Sequence, residues 1–270
     1  MIVGELNVAI LGASGRMGRT LVPLIAEAGG LRLSGALAAP GDPAIGQDAG
    51  VVAGIGPLAV AITSDPDRSL EGADVAIDFT LPGPSLEHAR RCLALGRPLV
   101  VGTTGHDEGG RAELARIAQA IPVVMAPNMS LGVNLLFRLA ELAARALGDD
   151  YDAEIVEAHH RHKVDAPSGT ALGLGEAVAR GRGTALQRVE VHDRHGATGP
   201  RPRGAIGFAV LRGGDIVGDH RLVFAGPGER LELAHVAQDR SGFARGALAA
   251  ARWVVGRSPG LYSMQDVLGL

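Results

Sequence analysis

The chain has 270 residues, 46 % of them hydrophobic, and its 26 basic and 29 acidic side chains leave a formal charge of −3. That length suits one large domain or two smaller ones with a sizeable core, and the near-balance of charge offers no broad basic footprint for nucleic acid or an anionic membrane. No apolar run approaches the roughly 18 residues of a membrane span. The opening stretch MIVGELNVAILGASG has no signal-peptide pattern, and a single cysteine, Cys92, allows no internal disulfide, so a reducing cytoplasm is the expected setting.

The first half of the chain alternates short apolar runs with helical patterns. LNVAIL (6–11) is a strand candidate, followed by a glycine-rich turn and a helix from about Arg16 to Ala28. LRLSGALA (31–38), LAVAIT (58–63), DVAIDFT (74–80), PLVVGTT (98–104) and PVVMAPN (122–128) continue the series. Helices are expected over Ser85 to Leu95 and Arg111 to Ala120. Continuous apolar strands separated by helices predict a parallel sheet covered on both faces.

After Asn128 the pattern changes. A long helix is expected from about Gly132 to Leu147, then a strand DAEIVEAHH (152–160). From about residue 187 the segments QRVEVHD, GAIGFAVL, HRLVFAG and RLELAHVA are joined by turn signals such as RGGD and GPGE, which predicts a mixed or antiparallel sheet. FARGALAAARWVV (243–255) is helical again. The expected organisation is α/β: a Rossmann-type dinucleotide-binding domain over 1–128 plus 240–270, and an α+β substrate-binding domain over 129–239.

The loop LGASGRMGR places glycine at 12, 15 and 18 rather than in the usual G-x-G-x-x-G register. The physics still serves a phosphate. Gly12 permits the sharp turn out of the strand, Gly15 lets backbone approach, Gly18 lets the helix pack closely, and the helix N-terminus offers N–H groups. The second strand ends Ala38-Ala39, with neither the acidic residue that binds ribose hydroxyls nor an arginine nearby, while Arg16 in the glycine loop could meet a 2′-phosphate or only the pyrophosphate, so a dinucleotide is expected without a choice between NADH and NADPH. GTTG (102–105) and APNMS (126–130) end later strands at the edge where open α/β sheets bind ligands.

EAHHRHKVDAPSGTA (157–171) holds five consecutive side chains able to carry positive charge, His159 to Lys163. Three readings are open: a zinc site, a solvated basic stretch, or an anion-binding catalytic site. On a strand, His160 and His162 would share a face, but no further ligands complete a zinc motif, and no metal is expected. Ser168 is a good N-cap for a following helix, whose Gly169 and Thr170 N–H groups would suit a carboxylate. Cations and a helix end converging on one anion, with a histidine able to deliver a proton, favour the third reading.

These residues bring in a family. GASGRMG (12–18), DFT (78–80), GTTG (102–105), APNMSLGVN (126–134), IGFAVLRGGDIVGDH (206–220) and above all EAHHRHKVDAPSGTAL (157–172) resemble dihydrodipicolinate reductase, also called 4-hydroxy-tetrahydrodipicolinate reductase, across essentially the whole chain. The resemblance implies a homotetramer joined through the substrate domain. It also implies NADH- or NADPH-dependent reduction of a cyclic imine dicarboxylate in the diaminopimelate route to lysine. By the same resemblance His159 and Lys163 handle protons, while His160, Gly169 and Thr170 hold substrate carboxylate. Gly12, Ala13, Ser14, Gly15, Arg16, Met17, Gly102, Thr103, Thr104, Ala126, Pro127, Asn128 and Met129 would line the cofactor. Many members carry an acidic residue and an arginine where this chain has Ala38 and Ala39.

Two rivals share the fold. A semialdehyde dehydrogenase needs a reactive cysteine at a strand end, whereas Cys92 lies inside a helical pattern. A non-enzymatic NAD(P)H sensor has no use for the His159/Lys163 pair.

Overall fold

The computed structural model describes residues 4–270. The chain divides into two compact units, one running to Leu131 and resuming over Arg240–Gly269, the other comprising Gly132–Asp239.

In the first unit, β1 (Leu6–Leu11), α1 (Arg16–Glu27), β2 (Leu31–Leu37), α2 (Ala49–Val52), β3 (Ile62–Thr63) and α3 (Pro66–Leu70) are followed by β4 (Val75–Asp78) and α4 (Pro82–Ala94). β5 (Leu99–Val101), α5 (Glu108–Ile117) and β6 (Pro122–Met125) complete the series. The strands pair in parallel, with β1 between β2 and β4. Val8 and Ile10 face one apolar layer, Ala9 and Leu11 the other, so the continuous apolar run of β1 serves a sheet buried on both sides.

The expected strand at 58–63 shrinks to Ile62–Thr63. Asp48 explains the loss: its carboxylate accepts the N–H groups of Gly50, Val51, Leu58 and Val60. Backbone that read as a strand is bonded to one side chain instead of to a ladder.

The second unit opens with α6 (Leu131–Leu147), β7 (Asp152–His159) and α7 (Gly169–Gly181). After them come β8 (Glu190–Val191), β9 (Ile206–Arg212), β10 (Gly218–Gly226) and β11 (Glu229–Ala237). The sheet order is β11-β10-β7-β9-β8; β7 runs antiparallel to β10 and parallel to β9. Ala153, Ile155, Ile206, Phe208, Leu222 and Phe224 pack on Leu136, Ala140, Leu174 and Val178 of the two helices. QRVEVHD (187–193) begins inside a 3-10 turn at Leu186–Arg188 and keeps only Glu190 and Val191 as strand β8.

The returning segment belongs to the first unit: α8 (Ser241–Val254), β12 (Gly260–Tyr262) and α9 (Met264–Leu268). β12 adds a seventh strand beside β6. β12 and α9 carry no readable periodicity, because each is too short; α9 is held by a capping box between Ser263 and Asp266.

Candidate active site

The first half-site lies at the C-terminal edge of the parallel sheet. Gly12 leaves β1 with φ +91°, and the N–H groups of Gly12 and Ala13 both donate to the Leu37 carbonyl, at 2.9 and 2.7 Å. A Cβ at Gly18 would lie 2.3 Å from the Gly12 carbonyl oxygen. Three glycines thus press the first turn of α1 against the end of β1. Gly15 caps this helix with no side-chain hydrogen bond, so the N–H groups of Arg16, Met17 and Gly18 lie outside the intrahelical ladder. That uncapped end, beside a cradle too tight for side chains, fits the pyrophosphate of a nicotinamide dinucleotide. Arg16 is exposed beside it. Ser14 is partly engaged elsewhere: its hydroxyl donates to Asp42 at 2.7 Å. That bond and the Ala44 N–H hold the Asp42 carboxyl below the usual range. Ala38 is buried and Ala39 exposed, and neither brings a charge to this edge.

The ends of β4 and β5 meet at a buried carboxylate. Asp78, fully buried at the end of β4, accepts from Thr80 N–H (2.9 Å), Thr80 Oγ1 (2.6 Å) and Thr103 Oγ1 (3.1 Å), and pairs with His88 Nδ1 (2.9 Å). The two threonines of GTTG therefore divide: Thr103 is buried and holds the loop to Asp78, while Thr104 is exposed. Gly102 is required by a close approach, since a Cβ there would fall 2.2 Å from the Phe79 ring. In the last segment, Pro127 is exposed and Asn128 accepts the Ser130 N–H through Oδ1. The side chains of Ala126 and Met129 belong to the apolar core. Cys92 is fully buried in α4, and burial pushes its thiol up to about 12, which removes it as a nucleophile.

The second half-site is built on β7. Its inward row is Ala153, Ile155, Glu157, His159, so an apolar face ends in a carboxylate and an imidazole. Register brings Arg212 of β9 opposite His159, and His220 of β10 opposite Glu157. Glu157 accepts from His159 Nδ1 (2.6 Å), from the Ser168 N–H (2.9 Å) and from both Arg212 terminal nitrogens (2.7 Å each). Burial works against its ionisation, but Arg212, His159 and the Ser168 N–H outweigh it and hold the carboxyl below the ordinary range. His220 meets His159 edge to face at 5.1 Å and Ser168 Oγ at 3.0 Å. Burial, reinforced by the neighbouring His159, lowers His220 to about 4.

β7 stops at His159, and the next residues form a turn in which Lys163 N–H donates to the His160 carbonyl. The strand alternation expected for His160 and His162 therefore does not exist, because Arg161 and His162 sit in that turn. Arg161 and His162 are exposed; Lys163 is partly buried and pairs with Asp165 at 2.9 Å. His160 Nδ1 is buried and unpartnered. Ser168 caps α7 as expected, accepting the Ala171 N–H. A Cβ on Gly169 would meet nothing within 4 Å, so the head of α7 opens onto free space. The structure thus gathers His159, Lys163, Gly169 and Thr170 around one turn and helix end. Sequence patterning does not mark out Glu157, Arg212 or His220 for this role; the last two lie in the segment IGFAVLRGGDIVGDH, which carries part of the family resemblance.

A Rossmann-type sheet with an uncapped glycine turn, and a second unit carrying a basic turn at the head of a helix, fit the class of nicotinamide-dependent oxidoreductases. Family models described as dihydrodipicolinate reductase, N-terminus and C-terminus, match residues 6–129 and 132–268. The chain belongs to the dihydrodipicolinate reductase family. It is 57 % identical over 266 residues to a 4-hydroxy-tetrahydrodipicolinate reductase of Thiobacillus denitrificans, covering 98 % of this chain and 99 % of the relative. A relative of the same name from Nitrosomonas europaea is 54 % identical, with 98 % of each chain covered. Among solved structures, dipicolinate-bound dihydrodipicolinate reductase from Paenisporosarcina sp. TG-14 shares the fold, with a TM-score of 0.77, 24 % identity, and 97 % and 98 % coverage.

Proposed function

We propose that this chain reduces 4-hydroxy-tetrahydrodipicolinate, or its dehydrated form, to tetrahydrodipicolinate with NADH or NADPH, in the diaminopimelate route to lysine. The observation that carries the reading is the basic turn His159–Lys163 set beside the open head of α7. The relatives' shared name supplies the substrate.

The dinucleotide, when bound, supplies hydride; the protein's own groups do the rest. The uncapped end of α1, with Gly12, Ala13, Ser14, Gly15, Arg16 and Met17, receives the pyrophosphate. Gly102, Thr103, Thr104 and the 126–129 segment shape the nicotinamide end, with Asp78 fastening Thr103. The N–H groups at Gly169 and Thr170, with His160, grip a substrate carboxylate. Lys163 and His159 meet the charge that develops on the ring nitrogen, and protonate it. Cys92 offers no thiolate for the semialdehyde dehydrogenase alternative.

The homotetramer is part of the same proposal. On the sheet face of the second unit turned away from its helices, Val156, Leu211 and Val236 are 43 %, 53 % and 63 % exposed, an apolar surface suited to another copy. A reducing cytoplasm supplies the reduced dinucleotide and suits the one buried thiol.

The test follows loss of nicotinamide absorbance with freshly generated substrate and each cofactor. Turnover is expected with both, because Ala38 and Ala39 select neither. Lys163→Ala should lower kcat by about 10²–10⁴-fold with cofactor affinity unchanged. No turnover by the intact chain with either cofactor would leave the sensor reading in its place.

A further inference from the structure

We infer that Glu157 is a positioning residue: clamped by Arg212, it sets the tautomer of His159 and ties that ring to the head of α7. The inference rests on the reductase reading, within which His159 exchanges a proton with substrate.

Glu157 is only 1 % exposed, and four donors occupy its carboxylate. Oε2 takes His159 Nδ1 and one Arg212 nitrogen; Oε1 takes the other Arg212 nitrogen and the Ser168 N–H. An ionised carboxylate only accepts. The hydrogen between Glu157 and His159 therefore sits on Nδ1, and the lone pair of the neutral ring is at Nε2. That edge is kept clear by Gly218, where a Cβ would come within 3.1 Å of Nε2. Nε2 is thus the atom that gives up a proton, its N–H bond breaking as the ring returns to the neutral Nδ1–H form.

The same carboxylate anchors α7. Ser168 donates its N–H to Oε1, while its side chain accepts from Ala171 and meets His220. One acid therefore holds both the proton-handling ring and the residue before Gly169. The charged and titratable groups around the ring are Glu157 on β7, Arg212 on β9, His220 on β10, and Lys163 with Asp165 on the loop. Burial keeps His220 neutral in the working range, so it adds no second positive charge. Arg212 spans the arrangement, since it also donates to the Asp165 carbonyl at 2.7 Å. Desolvating an acid and an arginine is costly, and buried pairs of this kind are better explained by the geometry they impose than by stability.

The test is Glu157→Gln, which keeps the shape but places amide hydrogens against donors. In the intact protein without ligands, ¹⁵N NMR of His159 should show the Nδ1–H form in the wild type and its loss in the variant. The kcat should fall by about 10–100-fold, with KM for the dinucleotide unchanged and the pH profile of kcat displaced. An Nε2–H ring in the wild type, or a Glu157→Gln protein with wild-type kcat and ring signals, overturns the inference. Arg212→Lys covers the case of a Glu157→Gln chain that does not fold. It keeps the cation but loses the fork, so kcat should drop several-fold with shifted His159 signals, and wild-type values for both again overturn the inference. Because the tautomer is read without substrate, it decides positioning even where turnover is absent, and absent turnover in the wild type refutes the reductase reading alone.

Discussion

Gly18→Ala tests the phosphate turn. An added Cβ would lie 2.3 Å from the Gly12 oxygen, 2.4 Å from the Ala13 oxygen and 2.5 Å from Ala13 Cα. All three are backbone atoms, so no side-chain rotation relieves them. Their position is fixed from behind by the two hydrogen bonds to the Leu37 carbonyl. Restoring ordinary van der Waals separation requires the turn to move by about 1 Å, and overpacking of this kind costs about 1–3 kcal/mol. Part of that cost should appear as a lower Tm, by about 2–4 °C per kcal/mol for a domain of this size. The rest should weaken the dinucleotide, because the displaced turn is the one that presents the N–H groups of α1. If all of it fell on binding, Kd would rise by about 5- to 150-fold. Calorimetric titration with NADH and NADPH measures the loss, and a thermal melt measures the stability. A variant with wild-type Tm and dinucleotide Kd would refute the packing argument and the phosphate site with it.

Asp78→Asn should lower Tm and raise KM for the dinucleotide more than it lowers kcat, because an amide cannot accept from Thr80, Thr103 and His88 together; kinetics with melts at one pH checks this. The pH dependence of stability has a definite sign at His220. Its folded value of about 4 lies below the unfolded 6.5, so its contribution is complete above pH 6.5 and is lost as pH falls toward 4. The full swing is about 3 kcal/mol. Urea unfolding at about pH 7 and about pH 5 should show a smaller pH effect in His220→Gln than in the wild type, and equal effects would disprove it.

Much of the site was legible because its parts are local. The turn LGASGRMG, the cap Ser168 and the basic run beginning at His159 are contiguous segments whose chemistry depends on neighbours in the chain. The missing parts were nonlocal. Arg212 and His220 reach Glu157 only because β9 and β10 flank β7 in one register. The expected strand at 58–63 failed for the same reason, since Asp48 captures its N–H groups from ten and twelve residues away.

Local sequence alone was enough for the alternation of strands and helices, the glycine turn at Gly12–Gly18 and the basic turn before α7. These follow from periodicity, glycine freedom and capping, all of which act over a few residues. Tertiary structure alone decided which acid meets which ring. A carboxylate at Glu157 reads as one more polar residue in a strand until Arg212, Ser168 and His159 close around it. Burial then turns it from a solvated charge into a fixed acceptor, because a desolvated carboxylate is tolerable only when each of its lone pairs is met.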